Sequence, residues 1–136
     1  MNQSSPAIPG GEQLALVERR TASGRKSRAN TGMTEAQLLA AVRQLARYRG
    51  WWIYHTAISR GSDSGWPDLA MINPRHRRFL AVELKSEHGK LTPDQISWLD
   101  ALDQCGIETA VWRPADLATT IPQILRGTPT RWRTAP

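Results

Sequence analysis

Two short apolar runs on either side of a basic turn constrain the fold of this chain most. The runs are residues 68–72 (Asp-Leu-Ala-Met-Ile) and 79–85 (Phe-Leu-Ala-Val-Glu-Leu-Lys), and six residues rich in Arg and His join them. Apolar runs of this length bounded by turn residues are typical of β-strands. Because a connection this short favours antiparallel pairing, the sequence predicts a β-hairpin over residues 68–85.

Two capping boxes predict where helices begin. Thr34 stands three residues before Gln37, and Thr92 stands three residues before Gln95. In this arrangement the Thr oxygen and the Gln side chain satisfy backbone amides that have no partner in the first turn. Apolar residues at helical spacing follow both boxes, and glycines at 50 and 106 end the two predicted helices.

The remaining elements fix the predicted fold class. Residues 51–56 and 108–112 are aromatic and β-branched, which indicates two further strands, and residues 116–125 predict a last helix interrupted near Pro122. The order is therefore helix, three strands, helix, strand, helix. That order predicts an α/β fold in which a small mixed sheet is flanked by helices.

The two ends of the chain differ in composition from its middle. Residues 1–31 hold five Lys or Arg and two Glu, a net charge of +3, among many Ser, Gly and Pro residues. Such a segment cannot bury enough apolar surface to order itself, so we predict a disordered basic N-terminal arm over 1–31. We predict one domain over 32–126 and a flexible tail over 127–136. Contact of the arm with phosphate and a plain flexible extension both remain open.

The overall charge favours a polyanionic partner. The chain carries 18 Lys and Arg against 12 acidic residues, a formal charge of +6. Nucleic acid is the commonest partner of such a chain, and a membrane ranks lower because no run approaches the roughly 18 apolar residues of a span. Cys105 is the only cysteine, and no Cys and His cluster has zinc-ligand spacing. The cytoplasm is therefore the expected location, since the first residues also lack the features of a secretory signal.

Charged residues in the predicted hairpin point to chemistry. Side chains of a strand repeat every two residues, so Glu83 and Lys85 project from the same face of their strand. Asp68 begins the neighbouring strand, and hairpin pairing would place it beside Glu83. Because the strand that Asp68 begins is otherwise apolar, this acid needs a partner or a metal ion.

Two carboxylates and one ammonium at one end of a sheet suit phosphodiester hydrolysis. Asp68 and Glu83 would supply hard oxygen ligands for Mg²⁺ or Mn²⁺, and the backbone carbonyl of Leu84 lies between Glu83 and Lys85 as a further ligand. Such an ion lowers the pKa of a bound water, and Lys85 can orient that water or stabilise charge on the phosphate. The alternative is a solvated Glu-x-Lys on an exposed sheet face, which alternation produces easily.

These residues resemble the signature of a known enzyme group. The segments in question are Gly65-x-Pro67-Asp68 and, after fourteen intervening residues, Glu83-Leu84-Lys85. Together they resemble the Asp…Glu-x-Lys signature of PD-(D/E)XK nucleases, and the Gly-x-Pro-Asp form resembles the VRR-NUC (virus-type replication-repair nuclease) family. The resemblance implies a restriction-endonuclease-like core, Asp68 and Glu83 as catalytic metal ligands, and Lys85 as the catalytic lysine.

The same resemblance extends to two further residues. It implies that Glu35, on the first helix, binds the metal directly or through water, and that Gln95 positions Lys85 or the substrate. Each residue also has a simpler interpretation. Glu35 stands where the helix dipole favours an acid, and Gln95 completes a capping box. Both interpretations remain open at this point.

Residues near the motif complete the predicted site. Arg60 and Ser62, on the loop leading to Asp68, and Lys90, beyond the Glu-x-Lys strand, are predicted nucleic-acid contacts. Trp98 is assigned to the core with Trp52 and Trp112.

The resemblance also sets the functional expectations. It implies a metal-dependent nuclease acting on DNA, branched DNA included, in replication, recombination or repair. A homodimer, a phage origin and a place at the nucleoid or in the cytoplasm of a phage-infected host are further expectations. The alternative is a non-catalytic nucleic-acid-binding module on the same fold.

Overall fold

A computed structural model describes residues 32–57 and 61–133. In chain order its elements are α1 (Glu35–Tyr48), β1 (Trp52–His55), β2 (Leu69–Asn73), β3 (Arg78–Leu84), α2 (Pro93–Gln104), β4 (Glu108–Trp112), a 3-10 helix (Pro114–Ala118) and α3 (Thr120–Arg126). The strands form one sheet in the order β1-β2-β3-β4. The first three are antiparallel and β4 runs parallel to β3, which confirms the predicted mixed sheet.

Both capping boxes form as predicted. The Thr34 hydroxyl accepts a hydrogen bond from the backbone amide of Gln37 at 3.1 Å, and the Gln37 side chain accepts one from the Thr34 amide at 2.9 Å. Thr92 and Gln95 make the same pair of bonds at 3.2 and 2.9 Å. The helices therefore begin where local side chains satisfy their first amides.

The β2–β3 hairpin has the register that the site requires. Leu69 lies opposite Val82, and the pairing continues to Asn73 opposite Arg78. Asp68 immediately precedes β2, so the next position along the pairing brings it to Glu83. The prediction of a hairpin over residues 68–85 is confirmed.

The main core lies between one face of the sheet and the helices α1 and α3. Its most buried residues include Leu38 and Val42 of α1, Met71 and Leu80 of the hairpin, and Ile121 of α3. The helix α2 packs against β3 and β4. Because α2 covers the other face of β3, Ala81 and Glu83 are buried as well, at 1% and 2% exposure.

The C-terminal helix is interrupted at a different place from the one predicted. The break falls at Thr119, between the 3-10 helix and α3, where φ is −128° and ψ is −86°. Pro122 lies inside the first turn of α3, where a missing amide hydrogen leaves no helical bond unmade. The predicted break near Pro122 is therefore wrong, because this proline is compatible with the start of a helix.

Residues 128–133, which fall in the predicted flexible tail, contact the body of the domain. The Thr130 amide donates to the Glu108 carboxylate at 3.1 Å, and the Trp132 amide donates to the Thr109 hydroxyl at 3.0 Å. Arg131 forms an ion pair with Asp103 at 2.7 Å. This segment thus runs beside β4 and α2. The predicted arm, 1–31, lies outside the described residues.

No helix in the described part of the chain combines the length and the hydropathy of a membrane span.

Candidate active site

A pair of carboxyl groups lies at the end of the β2–β3 hairpin. Asp68 and Glu83 line the same cavity, and Asp68 is close enough to act on the pKa of Glu83. One Asp68 oxygen accepts the Leu84 backbone amide at 2.8 Å. The Glu83 side chain is almost fully buried. The interpretation of Glu83 as a solvated residue on an exposed sheet face is therefore wrong, since the fold covers that face of β3.

The surroundings of Asp68 and Glu83 offset little of the negative charge that the two carboxyl groups would carry. Burial raises the pKa of Glu83 to about 9, and the hydrogen bond and charge of Asp68 add to this effect. Lys85 acts in the opposite direction, and the more distant charge of Glu35 raises the Glu83 pKa further. Two carboxyl groups in contact in a low-dielectric setting cannot both ionise easily. Without a cation, Glu83 therefore keeps its proton at neutral pH.

The loop before Asp68 explains the Gly-x-Pro-Asp sequence. Gly65 has a φ of 97°, and a Cβ atom at this position would lie 2.5 Å from the backbone carbonyl carbon of Asp94. Only glycine tolerates both conditions. The carbonyl of Pro67 accepts the Thr56 hydroxyl at 3.1 Å, and the carbonyl of Asp68 accepts the Thr56 amide at 2.8 Å. The loop is thus held between β1 and the start of α2, which fixes where Asp68 enters the sheet.

Asp68 and Glu83, which we call the acid pair, line a cavity of about 340 Å³, which we call the acid cavity. Ser62 and Gln95 also line this cavity, so the structure places both predicted residues beside the pair. Gln95 nevertheless keeps its capping bond to the Thr92 amide, which fixes the side chain at the cavity wall.

Glu35 lies at the rim of a neighbouring cavity. That cavity, of about 240 Å³, is lined by Glu35, His55, Asp68 and Leu84 among others. Asp68 borders both cavities, so Glu35 is near the pair but on its other side. Within residues 32–57 and 61–133, no three Asp, Glu, His or Cys side chains converge as a group that could hold a metal ion. The structure thus brings Asp68 and Glu83 together, while Glu35 and the exposed His55 share a neighbouring cavity with Asp68 without forming a group of metal ligands with it.

Lys85 stands where β3 leaves the sheet. Its backbone amide donates to the carbonyl of Trp112 at 2.9 Å. The loop that follows is held by Arg113, whose Nη1 donates to the carbonyls of Ser86 at 2.8 Å and Gly89 at 2.7 Å. Sequence reasoning missed Arg113, because a single Arg after a strand forms no recognisable motif.

Of the remaining predicted residues, Arg60 lies outside the described residues, Lys90 is exposed but lines neither cavity, and two predicted core residues are only partly buried. Trp112 is buried as predicted. Trp52 and Trp98 are only half-buried, so their assignment to the core is wrong.

A pair of indole rings borders the acid cavity. The rings of Trp66 and Trp98 meet edge to face, with centroids 5.0 Å apart, and the Trp98 Nε1 donates to the carbonyl of Ser64 at 3.0 Å. Trp66 lines the acid cavity itself. The apolar spacing of α2 could not show that Trp98 sits at the edge of the site, since core and rim residues share that spacing.

Comparison with known proteins agrees with this architecture. Residues 9–116 match the model of the VRR-NUC domain family, and the match begins within the predicted arm. A solved VRR-NUC domain has a similar structure, with 23% sequence identity and a TM-score of 0.50 over 70% of this chain and 98% of that chain. Hjc, a Holliday junction resolvase from the archaeal hyperthermophile Archaeoglobus fulgidus, is similar at 25% identity, with a TM-score of 0.41 over 58% of this chain and 63% of that chain.

No curated protein matches the chain at a significant level. The mixed four-stranded sheet with flanking helices is a restriction-endonuclease-like fold. Because the family match spans most of its length, the chain belongs to the VRR-NUC family of nucleases.

Proposed function

We propose that this nuclease hydrolyses DNA phosphodiester bonds with Mg²⁺ or Mn²⁺ bound at the acid pair. The observation that carries the proposal is the contact between the buried Glu83 carboxyl and Asp68 at the wall of an open cavity. A buried acid of this kind is costly unless a cation or another partner compensates it. The charge of +6 on the chain favours DNA as the polyanion that this site meets.

The donor set fits a divalent cation. Mg²⁺ in nucleic-acid enzymes is usually held by one or two carboxylates, while water and phosphate oxygens complete its coordination. Asp68 and Glu83 supply the two carboxylates, so a third acidic ligand is not required. Glu35 would contribute through water, and the Leu84 carbonyl would contribute from the main chain beside Glu83.

The side chains around the pair have distinct tasks in this proposal. Asp68 and Glu83 would hold the divalent cation, which would supply a bound water of lowered pKa and offset charge on the phosphate. Lys85, whose charge already acts on Glu83, orients the attacking water or stabilises the charge that grows on the phosphate. Gln95 positions the substrate or Lys85 from the cavity wall. Arg113 is a positioning residue, since it fixes the loop that follows Lys85.

We also propose that the enzyme selects DNA by structure. The described residues form a single small sheet with its helices, which leaves few elements to read a base sequence in a groove. The homodimer, the cytoplasmic or nucleoid location, the phage origin and the role in replication, recombination or repair stay predictions from the family resemblance.

A cleavage assay tests the proposed function. The substrates are branched, flapped, single-stranded and linear duplex DNA, each with Mg²⁺, with Mn²⁺ and with EDTA. We expect metal-dependent cleavage that is fastest on branched or flapped DNA and absent from the Asp68→Asn variant. DNA binding without any cleavage under all three conditions would favour the non-catalytic binding module instead.

We expect Lys85 to contribute to the cleavage rate and to add little to DNA affinity. Lys85→Ala should lower kcat by about 100-fold or more, as removal of one charge-stabilising group commonly does. DNA affinity should change little, because one Lys among 18 basic residues adds little to the total attraction. Single-turnover rates and equilibrium binding, measured on the same substrate, separate the two effects. If affinity falls as far as the rate does, Lys85 is a phosphate anchor. Lys90→Ala is the matched control, since it removes an exposed lysine whose charge, unlike that of Lys85, is not among those that act on Glu83.

The arm is expected to add sequence-independent affinity. Its five basic residues would each contribute about 0.9 to the slope of log affinity against log salt if they touched duplex phosphates. Deleting residues 2–30 should therefore weaken DNA binding and flatten the slope by about two to four units. The maximal cleavage rate should survive, because the acid pair and Lys85 lie outside the arm. An unchanged salt slope would show that the arm does not contact DNA, and a lost maximal rate would place it in the site or the dimer.

A further inference from the structure

A third cavity adjoins the cavity of the Asp68–Glu83 pair at the side of α2. It measures about 290 Å³ and is lined by Ser64, Asp94, Ser97, Trp98 and Ala101, and we call it the Trp98 cavity. Ser64 also lines the acid cavity, so the two cavities share a wall. The shared wall places the Trp98 cavity next to Asp68 and Glu83, where a scissile phosphate would lie.

The indole in this cavity is fixed before anything binds. The Trp98 Nε1 is hydrogen-bonded to the Ser64 carbonyl, and its ring meets that of Trp66. The loop that carries Ser64 packs closely on the start of α2, since a Cβ atom at Gly65 would lie 2.5 Å from the carbonyl carbon of Asp94. A rigid aromatic ring loses little conformational entropy on binding, so it makes an efficient stacking surface.

The lining of the Trp98 cavity suits a nucleobase and not a phosphate. Among the described residues that line it, the charged one is Asp94, and none of them is a Lys or Arg. A carboxylate repels phosphate but accepts hydrogen bonds from the amino groups of bases. The Ser97 hydroxyl donates to the Pro93 carbonyl at 3.1 Å, which leaves its oxygen as an acceptor. An aromatic face with acceptors around it matches a base plane with donors on its edge.

We propose that the Trp98 cavity binds an unpaired nucleobase of the DNA strand whose phosphate lies at Asp68 and Glu83. This inference rests on the proposed nuclease function and names its substrate class. A base within a duplex is stacked and paired, and it must leave the helix to enter a cavity. The preferred substrate is therefore DNA with an unpaired nucleotide beside the bond that is cut, as in a flap, a single-stranded end or an open branch.

Binding of single-stranded DNA with one abasic site tests this proposal. A fluorescent oligonucleotide is made in a series in which the abasic site moves one nucleotide at a time, and affinity is measured on the Asp68→Asn protein with Mg²⁺. We expect one or two positions at which loss of the base weakens binding about fivefold to 100-fold, the usual effect of losing one stacked base. Affinity for a fully paired duplex should not depend on the cavity.

A variant that fills the Trp98 cavity shows whether the affinity lost with the base arises from binding in this cavity. Ala101 is exposed at the cavity rim, so Ala101→Phe fills the space while Trp98 keeps its contacts. This variant should bind intact and abasic oligonucleotides alike. Ala40→Phe makes the same change at an exposed position of α1 and should keep the full difference. Trp98→Ala should behave as Ala101→Phe does, and a thermal melt of each variant identifies any that fails to fold.

Two results would overturn the proposal. One is equal affinity for intact and abasic oligonucleotides at every position. The other is a difference that Ala101→Phe leaves unchanged. Failure of the nuclease function gives a separate result, because wild-type protein would then show the base effect in binding but no metal-dependent cleavage.

Discussion

Asp68→Asn and Glu83→Gln are each expected to lower the cleavage rate by about 1000-fold or more. The estimate follows from several kcal/mol of transition-state stabilisation by a bound cation, at about 1.4 kcal/mol for each factor of ten. Either substitution removes an anionic ligand and keeps the size and shape of the side chain. Single-turnover cleavage of the best substrate, with Mn²⁺ at several concentrations, gives the loss in rate and any rescue by excess metal.

Stability measurements distinguish this loss from misfolding. Glu83→Gln replaces a buried acid by a neutral group of similar volume, so the metal-free variant should melt no lower than the metal-free wild type at neutral pH. Gln104→Ala, at the exposed C-terminal end of α2, is a matched control for a polar change at a residue that lines none of the three cavities. Unchanged metal-dependent cleavage in both acid variants would rule out the acid pair as the catalytic centre.

The affinity for Mg²⁺ or Mn²⁺ is expected to rise about tenfold per pH unit between pH 5 and pH 8, about 1000-fold in all. The cause is the proton on Glu83, whose pKa of about 9 in the metal-free protein means that a cation must displace it throughout this range. Calorimetry in buffers of different ionisation enthalpy should show close to one proton released per ion bound. Glu83→Gln should bind metal weakly and with little pH dependence.

The same pKa predicts how the metal-free protein responds to pH. The pKa of Glu83 rises from an ordinary 4.5 to about 9 on folding, so the folded state holds a proton that the unfolded state loses between these values. The free energy of unfolding should therefore fall as pH rises from about 5 to 9 in EDTA. Saturating Mn²⁺ should raise the melting temperature most at high pH. The wild type and Asp68→Asn would respond alike if the ions bound nonspecifically.

Local patterns were sufficient to predict the elements and the acid pair. The capping boxes lie within four residues of sequence, and the register of a hairpin is fixed by a short turn. Asp68 and Glu83 therefore meet through contacts that are close in the chain. Their convergence followed from alternation and antiparallel pairing alone.

Features that depend on distant contacts could not be predicted in the same way. The burial of Glu83 requires β4 and α2 to cover β3, although the uninterrupted run Leu80-Ala81-Val82 is a signal that both faces are buried. Arg113 reaches a loop 24 residues earlier in the chain, and its partners are backbone carbonyls that no sequence pattern marks. Trp98 joins the rim of the site only because the loop at Ser64 folds against α2.

The segment after α3 has a consequence for solubility. β4 is the last strand of the sheet in the described part of the chain, so no other described strand lies beside one side of its backbone. Thr130 and Trp132 lie along this side. The Thr130 hydroxyl donates to the Thr109 carbonyl at 3.4 Å, and the Trp132 amide donates to the Thr109 hydroxyl. An open strand edge is a template on which another chain can add a strand, the usual start of aggregation. These few residues therefore act as a cover that keeps concentrated protein from joining edge to edge.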